Sequence, residues 1–264
     1  MHTWIPASRN FAYLNWKQVE ALPKDRTLLV LPTAAIEQHG HHLPLATDTL
    51  INNLLLGKSL EKLSADAPVY ALPPVCYGKS NEHIGFPGTL SVTATTFMAV
   101  LRDLGASITA AGFKRLVLYN THGGNSSLVD VMARDLRAEF NLRVFCLYGS
   151  AGAPFTGVSK QEKTYGFHAG EIETSFLLAA APELVDTNAY TTNYIADIDH
   201  PERLLPENAS ATFAWLTRDI APSGVMGDPT PATAEKGELW IEEATTKIAA
   251  ALEAMLDYEN HHQP

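Results

Sequence analysis

Residues 28–48 run LLVLPTAAIEQHGHHLPLATD, an apolar opening followed by a dense polar half. Leu28 to Leu31, closed by Pro32, has the length and aliphatic character of a buried strand. Glu37, Gln38, His39, Gly40, His41 and His42 follow, and Asp48 stands nine residues beyond His39. In extended backbone, residues i and i+2 face the same way, so Glu37 and His39 point at one spot. Asp48 opens a run with helical apolar spacing. It either caps that helix or swings back to the same spot. Carboxylate and imidazole donors together suit zinc, manganese or a related divalent ion. The plainer alternative is a polar surface loop ending in an N-cap aspartate.

Outward from this stretch the pattern alternates. Apolar runs at 27–31, 69–72, 116–119 and 143–147 read as strands. Helical spacing marks 49–63, 92–111, 125–140, 171–180 and 234–258, with a short amphipathic segment at 15–22. Gly112 fits the position just past a helix end, and Ser126 or Asn125 the start of the next helix. Strands separated by helices predict a three-layer α/β sandwich with a mostly parallel central sheet flanked by helices. Residues 185–227, of mixed polarity and with several prolines, read as irregular with one short helix near 209–216. No repeat or linker divides the chain, so residues 1–264 are expected to form one domain.

Composition narrows the function. Against 29 acidic residues there are 19 Lys and Arg, and no basic run tracks phosphates, so nucleic acid is not an expected partner. No run reaches the length of a membrane span. The opening MHTWIPASRNFAYLNW lacks the basic and apolar regions of a signal peptide. Cys76 and Cys146, each in or beside an apolar run, read as buried reduced thiols of a cytoplasmic protein. They have no close partner, so a metal would have to use histidines and carboxylates.

Two further polar clusters matter. Asn120-Thr121-His122-Gly123-Gly124-Asn125 follows a predicted strand, at the carboxyl end where open α/β sheets place their sites. The glycines permit close backbone approach, and the alternative is a tight turn with an incidental histidine. His168-Ala169-Gly170-Glu171-Ile172-Glu173 precedes an apolar helix, and acids also favour a first turn. If this segment is helical from His168, Glu171 shares its face and Glu173 lies nearly opposite. If it is extended up to Glu173, the relation reverses.

Together these clusters resemble the creatininase (creatinine amidohydrolase) family. The resemblance is carried by Glu37-Gln38-His39-Gly40 with His42-Leu43-Pro44 and Asp48. It continues through Glu82-His83 with Phe86-Pro87-Gly88-Thr89, then His122-Gly123-Gly124-Asn125, then His168-Ala169-Gly170-Glu171 with Glu173-Thr174-Ser175. It implies the three-layer fold, hydrolysis of a small amide at two divalent ions of zinc or manganese (iron also being possible), and assembly as a hexamer. By matching position, Glu37, His39, Asp48, His122 and Glu173 look like metal ligands, with Asp48 bridging. His168 looks like the proton-transfer histidine, with Glu171 orienting it or acting as base. Glu82, His83, Gly123, Gly124 and Asn125 are candidate substrate-binding residues, His83 alternatively lying at a subunit contact. His41 and His42 are assigned to the loop around the ligands, and His261 and His262 need no function.

Creatininases proper carry a glutamate where this chain has Gly124. They also place tryptophans before the HAG motif, where residues 151–167 offer Phe155, Tyr165 and Phe167 but no Trp. Creatinine is therefore not the expected substrate. Relatives that deformylate a pyrimidine intermediate or cleave a modified peptide share this motif set. Two other classes stand as alternatives: a non-catalytic metal-dependent binding protein, and a phosphate-ester metallohydrolase. The second would want Lys or Arg beside the metal, and none stands in the three clusters.

Overall fold

The computed structural model describes residues 3–195, 198, 200–207 and 209–258. His261 and His262 lie outside them. Four strands form one parallel sheet in the order β2-β1-β3-β4: β1 Leu28–Thr33, β2 Val69–Ala71, β3 Arg115–Asn120 and β4 Arg143–Tyr148. The helices are α1 Trp16–Ala21, α2 Thr47–Lys62, α3 Ala94–Ala110, α4 Ser126–Phe140, α5 Lys160–Tyr165 and α6 Glu171–Ala180. A one-turn α7 at Thr217–Ile220 and the long α8 at Ala234–Asp257 follow.

The alternation of side chains along a strand divides the core in two. Leu28, Val30, Val117 and Tyr119 face a layer containing α2, α6 and α8. Leu29, Leu31, Leu116 and Leu118 face α3 and α4. Burial on both faces explains why β1 reads as an unbroken apolar run. The expected sandwich of a parallel sheet between two helical layers is thus observed.

The irregular stretch differs from expectation in one respect. No helix forms near 209–216. Ala211–Thr212 (β6) instead pairs in parallel with Leu204–Leu205 (β5), and the helical turn α7 comes only after it. A helix that short has a costly nucleus, and Ser210, Thr212 and Phe213 do little to offset it. Helix α5, which has no clear apolar period, starts where the Ser159 hydroxyl accepts from Glu162 N–H at 3.0 Å.

Register places the site. β1 and β3 run level to their last residues, with Thr33 opposite Asn120. The segments that follow, 34–46 and 121–125, therefore leave the sheet side by side at its carboxyl edge. Helix α2 is tied to this edge by Asn52, whose Nδ2 donates to the carbonyls of Thr33 (3.3 Å) and Tyr119 (3.3 Å). Thr49 Oγ1 donates to Ala35 O at 3.0 Å, and Thr121 Oγ1 to Asp48 O at 3.1 Å. These bonds fix the first turn of α2, and Asp48 with it, over the gap between β1 and β3.

Candidate metal centre

Asp48 is not the N-cap of α2. Ala46 holds that position and makes no side-chain cap bond. The Asp48 carboxylate points across the sheet edge instead. Its Oδ1 lies 3.4 Å from Nε2 of His39, and its Oδ2 lies 3.1 Å from Nδ1 of His122. Glu37 Oε1 is 3.3 Å from the same His122 nitrogen, and Glu173 Oε1 is 3.9 Å from His39 Nε2. Glu37, His39, Asp48 and His122 are all at most 4% exposed.

The outer nitrogens decide which ring atoms face inward. His39 Nδ1 is 3.1 Å from the Glu37 carbonyl, so it donates and leaves Nε2 as a lone pair aimed at a carboxylate. His122 Nε2 lies 3.1 Å from Lys79 O and 3.2 Å from Ser80 Oγ, leaving its Nδ1 lone pair inward. Glu37 Oε2, His39 Nε2 and Asp48 Oδ2 are buried without a hydrogen-bond partner. Buried lone pairs converging with no donor between them are costly unless a cation stands among them. The donor set, imidazole nitrogen and carboxylate oxygen, matches zinc or manganese.

Electrostatics agree with the geometry. Burial opposes a charge on His39, but Asp48, Glu173 and Glu37 overcome it and raise its pKa to about 9 in the metal-free chain. Burial likewise opposes a charge on His122, and Glu37 and Asp48 carry it well above the ordinary value. Asp48 is held low against its burial by the two histidines. Burial pushes Glu173 up to about 7, with His39 opposing and Asp48 adding to the shift. His39, His122 and Glu173 thus favour protons in the space a cation would take, and Asp48 stays ionised among them.

Neither simple geometry for residues 168–173 is adopted. Ala169 takes a left-handed φ of 54° and α6 starts at Glu171. Glu173 Oε2 accepts from Ala169 N–H at 2.6 Å, and its other oxygen faces His39. Glu171 turns away and takes Lys236 Nζ on Oε1 at 2.5 Å. A salt bridge there withdraws Glu171 from the catalytic role expected of it. Asn125 is also engaged structurally. Its Oδ1 accepts from Lys79 N–H (2.9 Å) and its Nδ2 donates to Ala34 O (3.1 Å), so this fully buried amide joins three loops and offers nothing to a substrate.

His168 is fixed by backbone pairing with Met226: N to O at 3.1 Å and the reverse at 2.9 Å. Its Nδ1 lies 3.8 Å from Glu37 Oε1. Its ring packs between His39 (centroids 4.2 Å) and His83 (4.4 Å). Burial, then the neighbouring His39 and His83, lower its pKa well below the ordinary value, so it is neutral rather than titrating near pH 7. His83 enters the site directly, with Nε2 3.4 Å from Glu37 Oε1. Glu82 Oε1 is 3.5 Å from His122 Nε2. A Cβ at residue 124 would come within 2.2 Å of that Glu82 oxygen, so the glycine there makes room for the carboxylate. Gly123 lies near Glu207, whose Oε1 would be 3.9 Å from a Cβ at that position. His42 Nε2 meets Thr174 Oγ1 at 3.0 Å behind the ligands, while His41 is exposed.

Sequence reading missed Trp215. It packs edge-on to His83 (6.4 Å) and Phe167 (5.7 Å), bringing an indole beside the histidine stack from the far part of the chain. No periodicity in that part signals it. Phe167, named in the sequence among the aromatics before the HAG motif, is the one of them that meets Trp215.

A parallel α/β sheet with a buried imidazole–carboxylate cluster at its carboxyl edge defines a protein with a candidate divalent-metal site. The family model described as "Creatininase: Creatinine amidohydrolase" matches residues 12–252, and the chain belongs to the creatininase family. It is 36% identical over 222 residues to a mycofactocin precursor peptide peptidase of Mycobacterium ulcerans, covering 82% of this chain and 80% of that one. It is 31% identical over 259 residues to the creatinine amidohydrolase of Pseudomonas putida, covering 90% and 94%. The solved structure of creatininase in a manganese form superposes with a TM-score of 0.73 at 27% identity, over 95% of this chain and 99% of that one. Family and fold therefore agree with the resemblance read from the motifs. Among the described residues no helix is long and apolar enough to cross a membrane.

Proposed function

We propose that this chain is an amidohydrolase that uses two divalent ions, zinc or manganese with iron also suited, to hydrolyse a C–N bond in a small cyclic amide or formamide. Glu37, Asp48 and His122 would hold one ion, and His39, Asp48 and Glu173 the other. The observation that carries this reading is Asp48, with one oxygen toward each of two inward imidazole lone pairs. Bound ions would supply carbonyl polarisation and a water acidic enough to attack near neutral pH.

The chain's own residues do the rest. His168 is neutral, and its Nδ1 takes a proton as water adds to the carbonyl, then returns it to the leaving nitrogen. His83 holds Glu37 from behind. Phe167 and Trp215 form an aromatic wall against which a flat amide packs. Glu82, with the open space over Gly123, borders the same opening.

A second reading, hydrolysis of a peptide C–N bond, is favoured by the peptidase of Mycobacterium ulcerans, to which this chain is more similar than to the creatinine amidohydrolase. Creatinine itself is the third. The functional unit is taken as one domain over residues 1–264, cytoplasmic, and homo-oligomeric as a hexamer. The test is to load the protein with zinc or manganese and assay creatinine, small lactams, formamides and short peptides. Hydrolysis of one class, abolished by chelation, is expected. Binding of ions with no hydrolysis of any class would favour the metal-dependent binding protein.

A further inference from the structure

Gln38 lies between the imidazoles of His83 and His168, which stack beside the metal centre. Its side chain is 4% exposed and fully engaged. Gly40 N–H donates to Gln38 Oε1 at 2.9 Å, which fixes the orientation of the amide. A side chain at residue 224 would strike that oxygen, since a Cβ there would be 2.0 Å away and φ is +82°. The amide nitrogen then faces three groups: Gly224 O at 3.0 Å, His83 Nδ1 at 2.8 Å and His168 Nε2 at 3.0 Å.

An amide nitrogen has two hydrogens. His168 Nε2 also stands 2.7 Å from the Gln38 carbonyl, a contact that is favourable only if this nitrogen carries the proton. It therefore needs no hydrogen from the amide. The two amide hydrogens go to Gly224 O and His83 Nδ1. Thr217 Oγ1, 2.9 Å from His83 Nδ1, adds a second donor to the same atom. The opposite assignment sets two N–H groups against each other at His83 and two lone pairs against each other at His168.

We propose that Gln38 is a positioning residue that sets the tautomers of both histidines. His83 carries its proton on Nε2 and turns it toward Glu37 Oε1, 3.4 Å away. His168 carries its proton on Nε2 and turns a Nδ1 lone pair into the site. One amide thus makes one imidazole a donor that steadies a ligand carboxylate, and the other an acceptor free to take the proton of the attacking water. The role in catalysis rests on the amidohydrolase reading, but the tautomers do not.

Two-bond proton–nitrogen spectra of protein with ¹⁵N-labelled histidine, loaded with zinc, read both tautomers, with His83→Ala and His168→Ala assigning the signals. Both rings are expected neutral with the proton on Nε2. Gln38→Glu keeps the acceptor for Gly40 but presents an oxygen to His83. Its Nδ1 should then gain a proton, kcat should fall roughly tenfold or more, the scale for losing a partner behind a metal ligand, and zinc content should stay that of the wild type. A wild-type spectrum with Nδ1–H on His83 or His168 overturns the proposal even if no Gln38 variant folds. So does a folded Gln38→Glu with unchanged tautomers. Loss of the two-ion reading would appear separately, as zinc content, and leaves the histidine signals still readable.

Discussion

The two ends of the parallel sheet both bury ionisable side chains, and they treat them differently. At the amino edge Arg115, the first residue of β3, turns both Nη atoms to the end of α8, donating to the carbonyls of Met255, Leu256 and Tyr258, each at 2.9 Å, and only its Nε, facing no other unpartnered group, lacks an acceptor. At the carboxyl edge Glu37, His39 and Asp48 are as deeply buried, yet Glu37 Oε2, His39 Nε2 and Asp48 Oδ2 have no hydrogen-bond partner. The first arrangement closes the fold on itself. The second has lone pairs aimed at common points and is completed only from outside. Burial of charge is therefore no sign of a ligand site by itself; convergence without partners is.

The largest break in this contrast is expected from Asp48→Ala. It should remove both ions and bring turnover to background, because one carboxylate faces both halves of the site. Next, His168→Ala should lower turnover by roughly a hundredfold, the usual scale for losing an acid–base group, with ion content kept. Elemental analysis and rates on the same preparations check both. If His168→Ala loses its ions while Asp48→Ala keeps them, the two roles are wrongly divided.

His39 in the metal-free fold is raised from 6.5 to about 9, and Glu173 from 4.5 to about 7. Both shifts favour the protonated folded state, so their stabilisation is whole below the unfolded values. That of Glu173 is lost as pH rises to about 7, and that of His39 as it rises to about 9. Ion binding needs both protons gone, and that of His122, also raised well above its ordinary value, so affinity measured by chelator competition should rise across the same range, by up to about tenfold per pH unit for each proton released. An affinity flat from pH 6 to 9 would contradict this.

Smaller effects belong to the other edge and the rim. Arg115→Ala should cost about 2 kcal/mol of folding stability, the scale of charged hydrogen bonds, measured by denaturant melts, while ion content per folded chain is unchanged. Trp215→Ala should raise KM several-fold with kcat little altered, as loss of packing against bound substrate does. An unchanged KM would remove Trp215 from the substrate wall.

How much of this was legible beforehand follows from what each residue depends on. β1 and β3 announce themselves because burial on both faces forces continuous apolar runs, and the polar clusters after them follow from strand direction. Asp48 was ambiguous because an N-cap and a residue one turn into the site occupy the same sequence spacing. Only the ties from Asn52, Thr49 and Thr121 separate them. The choice between Glu171 and Glu173 turned on a left-handed Ala169, and no helical or extended pattern contains such a residue. Trp215, Thr217 and Gly224 reach the site through chain closure across residues without periodicity, so no local signal places them. Gln38 was visible as part of a motif, but its function is a count of hydrogens that needs the neighbours' positions.

Metal stoichiometry of the wild-type chain tests the central claim most directly. Protein freed of metal, reconstituted with zinc or manganese and passed free of excess ion should hold about two ions per chain by elemental analysis, the number a two-metal hydrolytic site requires. One ion per chain, or none, would contradict the account.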